Sequence, residues 1–62
     1  MMQIEIHKKS GDYYRAAVPT LKDVQKLAEI RSISQIFLFA ITPREYKHLQ
    51  SLDLPKKIKI IR

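Results

Sequence analysis

The amino-acid sequence predicts an α/β fold, or α+β as the alternative, built as one small two-layer domain. Strand-like alternation of apolar and polar residues occurs near both ends of the chain, and two stretches between them have helical periodicity. A chain of 62 residues has room for only one hydrophobic core, so the whole of 1–62 is expected to form a single domain. The predicted order of elements is β-β-α-β-α-β.

The chain is expected to begin with an antiparallel hairpin over residues 2–18. In residues 2–8, Ile4 and Ile6 alternate with polar residues, which is typical of a half-buried strand. Gly11 is the only glycine and stands in the following turn, where a positive φ is needed. Tyr13–Val18 completes the hairpin as its second strand.

The first helix is predicted from Leu21 to about Arg31. Thr20 precedes it as the cap, and Asp23 stands three residues later, a weaker form of the capping box that usually has Glu or Gln. Apolar residues then recur on one side of the helix: Leu21, Val24, Leu27 and Ala28.

The remaining elements are a strand, a capped helix and a final strand. Ser34–Ile41 is compact and apolar, with two Phe residues that raise its strand preference. Thr42 then serves as cap, with Pro at the first helical position and Glu three residues on. This helix is expected to bury Tyr46, Leu49 and Leu52, to stop before Pro55 and to lead into the strand Lys57–Ile61.

An internal repeat of 22 residues divides the chain after the hairpin into two α-β units, 20–41 and 42–62. Right-handed crossovers between sequential strands predict a four-stranded mixed sheet in the order 1-2-3-4, with the first strand antiparallel and both helices on one face. The alternative places the last strand beyond the second, with one helix on each face. We favour the first arrangement because it puts the apolar segment Ser34–Ile41 in the interior of the sheet.

Two helices on one face leave the other sheet face without cover. Alternation sends two Phe rings and several basic residues to that face, and a monomer should avoid such a patch. The candidate binding residues there are Tyr13, Arg15, Phe37, Phe39, Lys57, Lys59 and Ile61.

We expect a small, basic, non-enzymatic module that binds another macromolecule. The sequence favours a protein partner, with homodimerisation through the uncovered face burying the Phe residues. The alternative is a nucleic-acid-binding protein, because aromatic rings can stack on bases while Arg and Lys hold phosphates. The net charge of +6 is compatible with this second hypothesis.

The exposed sides of the two helices form a weaker candidate surface, since solvated helices usually carry such charges. The residues that would contact a phosphate backbone or an acidic protein there are Lys22, Lys26, Arg44, Lys47 and His48.

No enzymatic activity, metal, cofactor or small-molecule substrate is expected. The sequence has no paired ligand spacing, no Gly-rich phosphate loop and no cysteine, and the two His residues are on different elements. The longest apolar run is six residues, Ile36–Ile41, so we expect a soluble intracellular, cytoplasmic protein without a membrane partner. The absence of Asn and the abundance of Ile are compatible with a thermophilic source.

Overall fold

The computed structural model describes residues 2–62 and has all six elements in the predicted order. Their bounds are β1 Met2–Lys8, β2 Tyr13–Val18, α1 Leu21–Ala28, β3 Ile33–Phe39, α2 Pro43–Gln50 and β4 Ile58–Ile61. The turn between β1 and β2 contains Gly11 at φ +102°, which confirms the predicted need for glycine.

The strands form one mixed sheet in the order β2-β1-β3-β4. β1 runs antiparallel to both of its neighbours, whereas β3 and β4 are parallel. The predicted order 1-2-3-4 is therefore wrong: β1 lies inside the sheet, and β2 is an edge strand. With an antiparallel strand in the interior, the fold is a small α+β domain.

Side-chain size explains why β1 takes the interior position. Ile4 and Ile6 are 0% and 1% exposed, and each is flanked by a strand on both sides. Opposite Ile4, β2 presents the smaller Ala16, while β3 presents Leu38. The larger apolar side chains thus gain the most buried area between β2 and β3, and the Ala-containing strand is left at the edge.

The sheet register relates residues that are 22 positions apart. Ile36 is opposite Ile58 in the parallel pair, and Leu38 is opposite Ile60. Toward the β2 edge of the sheet, Ile6 of β1 lies between Tyr14 of β2 and Ile36 of β3. Tyr14 and Ile36 are also 22 residues apart in the sequence. β2, β3 and β4 therefore run in the same direction at matching heights, with β1 inserted between the first two.

Both helices contribute to the core on one face of the sheet. Val24 and Ala28 of α1 and Leu49 of α2 are buried together with the sheet residues Ile4, Ile6, Ile36, Leu38 and Ile58. The two crossovers step in the same direction across the sheet, and right-handed connections then place α1 and α2 on the same side.

The helix starts are close to prediction, and the first helix end is not. Thr42 Oγ1 accepts a hydrogen bond from Glu45 N at 3.1 Å, as expected for a cap. Before α1, the Asp23 carboxylate accepts from Thr20 N at 3.2 Å and from Thr20 Oγ1 at 2.7 Å. α1 ends at Ala28 rather than near Arg31, because the chain must reverse before β3 can bury Ile33.

Candidate binding site on the uncovered sheet face

The sheet face opposite the helices, called here the uncovered face, receives every second residue of each strand. Register and alternation give it three residues each from β1, β2 and β3 and two from β4. These are Gln3, Glu5, His7, Tyr13, Arg15, Ala17, Gln35, Phe37, Phe39, Lys59 and Ile61.

A hydrogen-bonded ionic cluster occupies the centre of this face. Glu5 Oε1 lies 2.7 Å from His7 Nε2, and Glu5 Oε2 accepts from Arg15 Nε at 3.3 Å. The hydrogen bond from His7, followed by that from Arg15, lowers the pKa of the Glu5 carboxyl, while partial burial acts in the opposite direction. The middle of the uncovered face is therefore polar.

Aromatic rings surround His7 toward the hairpin end of the face. The His7 ring stacks on Tyr13 with centroids 5.3 Å apart and meets the edge of Phe37 at 4.9 Å. Tyr13 is 67% exposed, whereas Phe37 is partly buried. Three adjacent strands thus contribute rings to one surface that solvent can reach.

The opposite end of the face is more apolar. Phe39 is flanked by Gln3 on β1 and Ile61 on β4, and Ala17 lies across from Gln3 on β2. The Arg15 guanidinium reaches across β1 to within 5.6 Å of the Phe39 ring centroid. Arg15 consequently links the ionic centre to the apolar end through a cation–π contact.

Six of the seven predicted sheet-face residues lie on the uncovered face, and Lys57 does not. Lys57 precedes β4, and its Nζ donates to Ile30 O at 3.2 Å, in the loop after α1. Its own carbonyl accepts from Gln35 Nε2 at 2.7 Å. Lys57 thus ties the start of β4 to the loop after α1 and to β3.

Sequence reasoning missed the contribution of β1, which is Gln3, Glu5 and His7. The predicted residues of this face come from the other three strands only. Two local signals could have found the cluster. Residues 5 and 7 share a face of any strand, and a hairpin turn around Gly11 places Arg15 opposite Glu5.

The weaker candidate surface on the helices is exposed. Lys22 and Lys26 of α1 and Arg44, Lys47 and His48 of α2 all have exposed side chains. Within residues 2–62, none of these five side chains makes a hydrogen bond or an ion pair. They form two exposed basic helix faces.

Metal ligands do not converge in the described part of the chain. No group of three or more His, Asp or Glu side chains in residues 2–62 has the proximity that a metal ion requires. Over the same residues, neither helix has the length and apolar character needed to cross a membrane.

Comparisons with known proteins identify no relative. No protein-family model, curated protein or solved structure matches the chain. Functional inference therefore depends on the chemistry of the uncovered face.

Proposed function

We propose that the protein is a non-enzymatic binding module that holds single-stranded nucleic acid on its uncovered sheet face. The observation that carries the proposal is a row of rings on three adjacent strands, with one cation on each of the two edge strands. Tyr13, His7 and Phe37 supply rings on β2, β1 and β3, and Arg15 and Lys59 stand beside them on β2 and β4.

The rings can act as stacking positions for bases. Exposed bases of single strands stack on aromatic side chains, and each stacked base contributes about 1–3 kcal/mol. Tyr13 and the neighbouring His7 ring are held parallel, with an interplanar angle of 14°. A base can stack on the open side of Tyr13 without any change in the backbone.

The cations can hold the phosphates between the bases. The Arg15 side chain is 79% exposed, and its Nε is bonded to Glu5. No bond from its terminal nitrogens is present within residues 2–62, so these nitrogens can bind a phosphate. Lys59 is exposed and lies opposite Phe37. The net charge of +6 adds long-range attraction.

Glu5 does not rule out an anionic ligand. Its charge would repel phosphate if it stood alone. The Arg15 guanidinium offsets that charge, and the hydrogen bonds from His7 and Arg15 keep the carboxylate engaged at the centre of the face. We infer that Glu5 positions Arg15 and His7 for binding.

Homodimerisation through the same face is the second candidate, and the apolar end at Phe39, Ile61 and Ala17 favours it. The polar centre from β1 weakens this case, because two such faces would bury their ionic clusters against each other. The face is also small: four strands of this length span about 19 by 20 Å, or about 400 Å². Stable interfaces bury about 800 Å² per partner.

The test is fluorescence anisotropy with a labelled single-stranded oligonucleotide of about 12 mixed bases, titrated at several salt concentrations. We expect binding that weakens with salt. Phe37→Leu with Tyr13→Ala should reduce affinity by at least tenfold, because the rings are lost while apolar volume at Phe37 is kept. Arg15→Ala with Lys59→Ala should flatten the salt slope by about 1.4 units, since each lost phosphate contact removes about 0.7.

A charge-matched control separates the sheet face from the helices. The double variant Lys22→Ala with Lys26→Ala also removes two positive charges, but from α1, and should weaken oligonucleotide binding much less than Arg15→Ala with Lys59→Ala. Equal losses from the two double variants would contradict the proposal. Sedimentation of the free protein addresses the second candidate. A stable dimer that the double variant Phe37→Ala with Phe39→Ala dissociates, with no oligonucleotide binding, would replace our proposal with homodimerisation.

A further inference from the structure

The free edge of β4 carries backbone groups that have no partner in the sheet. Among residues 2–62, β3 is the one strand with which β4 pairs. Ile36 N donates to Lys57 O at 2.7 Å and Ala40 N donates to Ile61 O at 2.8 Å. In a parallel ladder, successive residues alternate between the two sides of a strand. The odd-numbered positions thus face β3, and the N–H and C=O of Ile60 face outward.

A groove lined mainly by aliphatic and aromatic residues, together with Gln50 and Lys59, lies next to this edge, between β4 and α2. Its volume is about 350 Å³, sufficient for one or two aliphatic side chains. Tyr46 and Leu49 line it from α2, Leu52 and Leu54 from the following loop, and Ile58 and Ile60 from β4. Gln50 Nε2 donates to Tyr46 Oη at 2.8 Å and holds the tyrosine at the rim.

The charges around the edge select the kind of strand that can pair there. From Asp53 to the last residue the chain has four cations, Lys56, Lys57, Lys59 and Arg62, against one anion. Lysines along an edge strand oppose pairing with a second, equally basic copy. The same lysines attract an acidic strand.

We propose that the β4 edge binds an extended acidic segment of another protein as an added strand. The bound segment would alternate apolar and acidic residues. Its apolar side chains would enter the groove beside Ile60, and its carboxylates would lie on the side of Lys59. Backbone hydrogen bonds to Ile60 would fix its register. This site shares only Lys59 with the uncovered face and does not depend on the nucleic-acid proposal.

The test uses two synthetic peptides and amide NMR spectra of the ¹⁵N-labelled protein. Acetyl-Glu-Val-Glu-Ile-Glu-Val-amide is the acidic probe, and the same peptide with Lys in place of Glu is the control. We expect the acidic peptide to shift the amide signals of 58–62 and of the groove residues on α2. The lysine peptide should leave these signals unchanged.

A charge swap and a backbone variant provide the second arm. Lys59→Glu should lower the affinity for the acidic peptide by about tenfold and allow the lysine peptide to bind, because the charge at this position is reversed. Lys26→Glu makes the same charge change on α1 and should have little effect. Ile60→Pro removes the outward N–H and should abolish binding, with circular dichroism checking the fold. Three results would overturn the proposal. The first is that neither peptide shifts the amide signals of β4, and the second is that Lys59→Glu and Lys26→Glu have equal effects. The third is a homodimer joined at β4.

Discussion

Glu5 lies at the middle of the uncovered face and is the residue with the most specific partners there. Its carboxylate contacts His7 Nε2 at 2.7 Å and Arg15 Nε at 3.3 Å. Both bonds favour the ionised form, and the pKa of Glu5 is consequently lowered from 4.5. The unfolded chain therefore binds this proton more readily than the folded protein does, so ionised Glu5 stabilises the fold.

The sign of this linkage gives a pH prediction. The stabilisation from Glu5 is fully present above its unfolded pKa, near 4.5, and is lost as pH falls through the lower folded pKa. Glu5→Gln should lower the Tm at pH 7, and the difference from the wild type should shrink as the pH falls through the lowered folded pKa of Glu5. Thermal unfolding between pH 7 and pH 3 measures this difference. Glu29→Gln is the control, because Glu29 is exposed. A constant difference for Glu5→Gln would contradict the assignment.

At the scale of elements, the interior position of β1 is the main feature of the fold. β1 pairs with a strand on each side, whereas β2 and β4 pair on one side only within the described residues 2–62. The sheet order also determines the function proposed here, because β1 supplies His7 and Glu5 to the centre of the uncovered face.

Hydrogen exchange should distinguish the interior strand from the edges. Amide protons of β1 should be uniformly slow, while alternate amides of β2 exchange faster because they face solvent. Ile4→Ala should cost about 2–5 kcal/mol of unfolding free energy, as expected for a fully buried Ile. Val18→Ala on β2 should cost less, since Val18 is only partly buried. Alternating fast and slow amides along β1 would indicate that it is an edge strand.

The two helix caps give a matched pair of substitutions. Thr42 Oγ1 accepts from the backbone N–H of Glu45, whereas Thr20 Oγ1 donates to Asp23. Thr42→Ala leaves a helix N–H without its acceptor and should cost about 1 kcal/mol. Thr20→Ala should cost less, because Asp23 still accepts from Thr20 N. Urea unfolding of both variants measures the two costs, and equal costs would contradict the assigned roles.

Element types could be predicted from the sequence because their signals are local. Alternation around Ile4, the turn at Gly11 and the cap at Thr42 each act within a few residues. Strand order depends instead on which strand pairs with β3, a long-range choice without a local signal. The size difference between Ile4 and Ala16 was the available clue. The site prediction included Phe37 and Phe39 but missed the residues of β1, although local alternation and the hairpin register place Glu5 and His7 on the same face.

At the scale of the whole molecule, a small chain has limited means of covering its sheet. Two helices of eight residues each pack on one face, and the other face remains open. All twelve Lys and Arg residues lie within the described residues 2–62, and of these only Arg15 and Lys59 stand on that open face. We therefore expect the arrangement of rings and these two cations, more than net charge, to determine where a ligand binds.

An NMR titration of the ¹⁵N-labelled protein with a single-stranded oligonucleotide tests this claim most directly. Amide and ring signals show which surface the ligand contacts. We predict changes at Tyr13, His7, Arg15 and Phe37, with little change along the outer faces of α1 and α2. Changes centred on Lys22, Lys26 and Arg44, or no changes at low salt, would contradict the account.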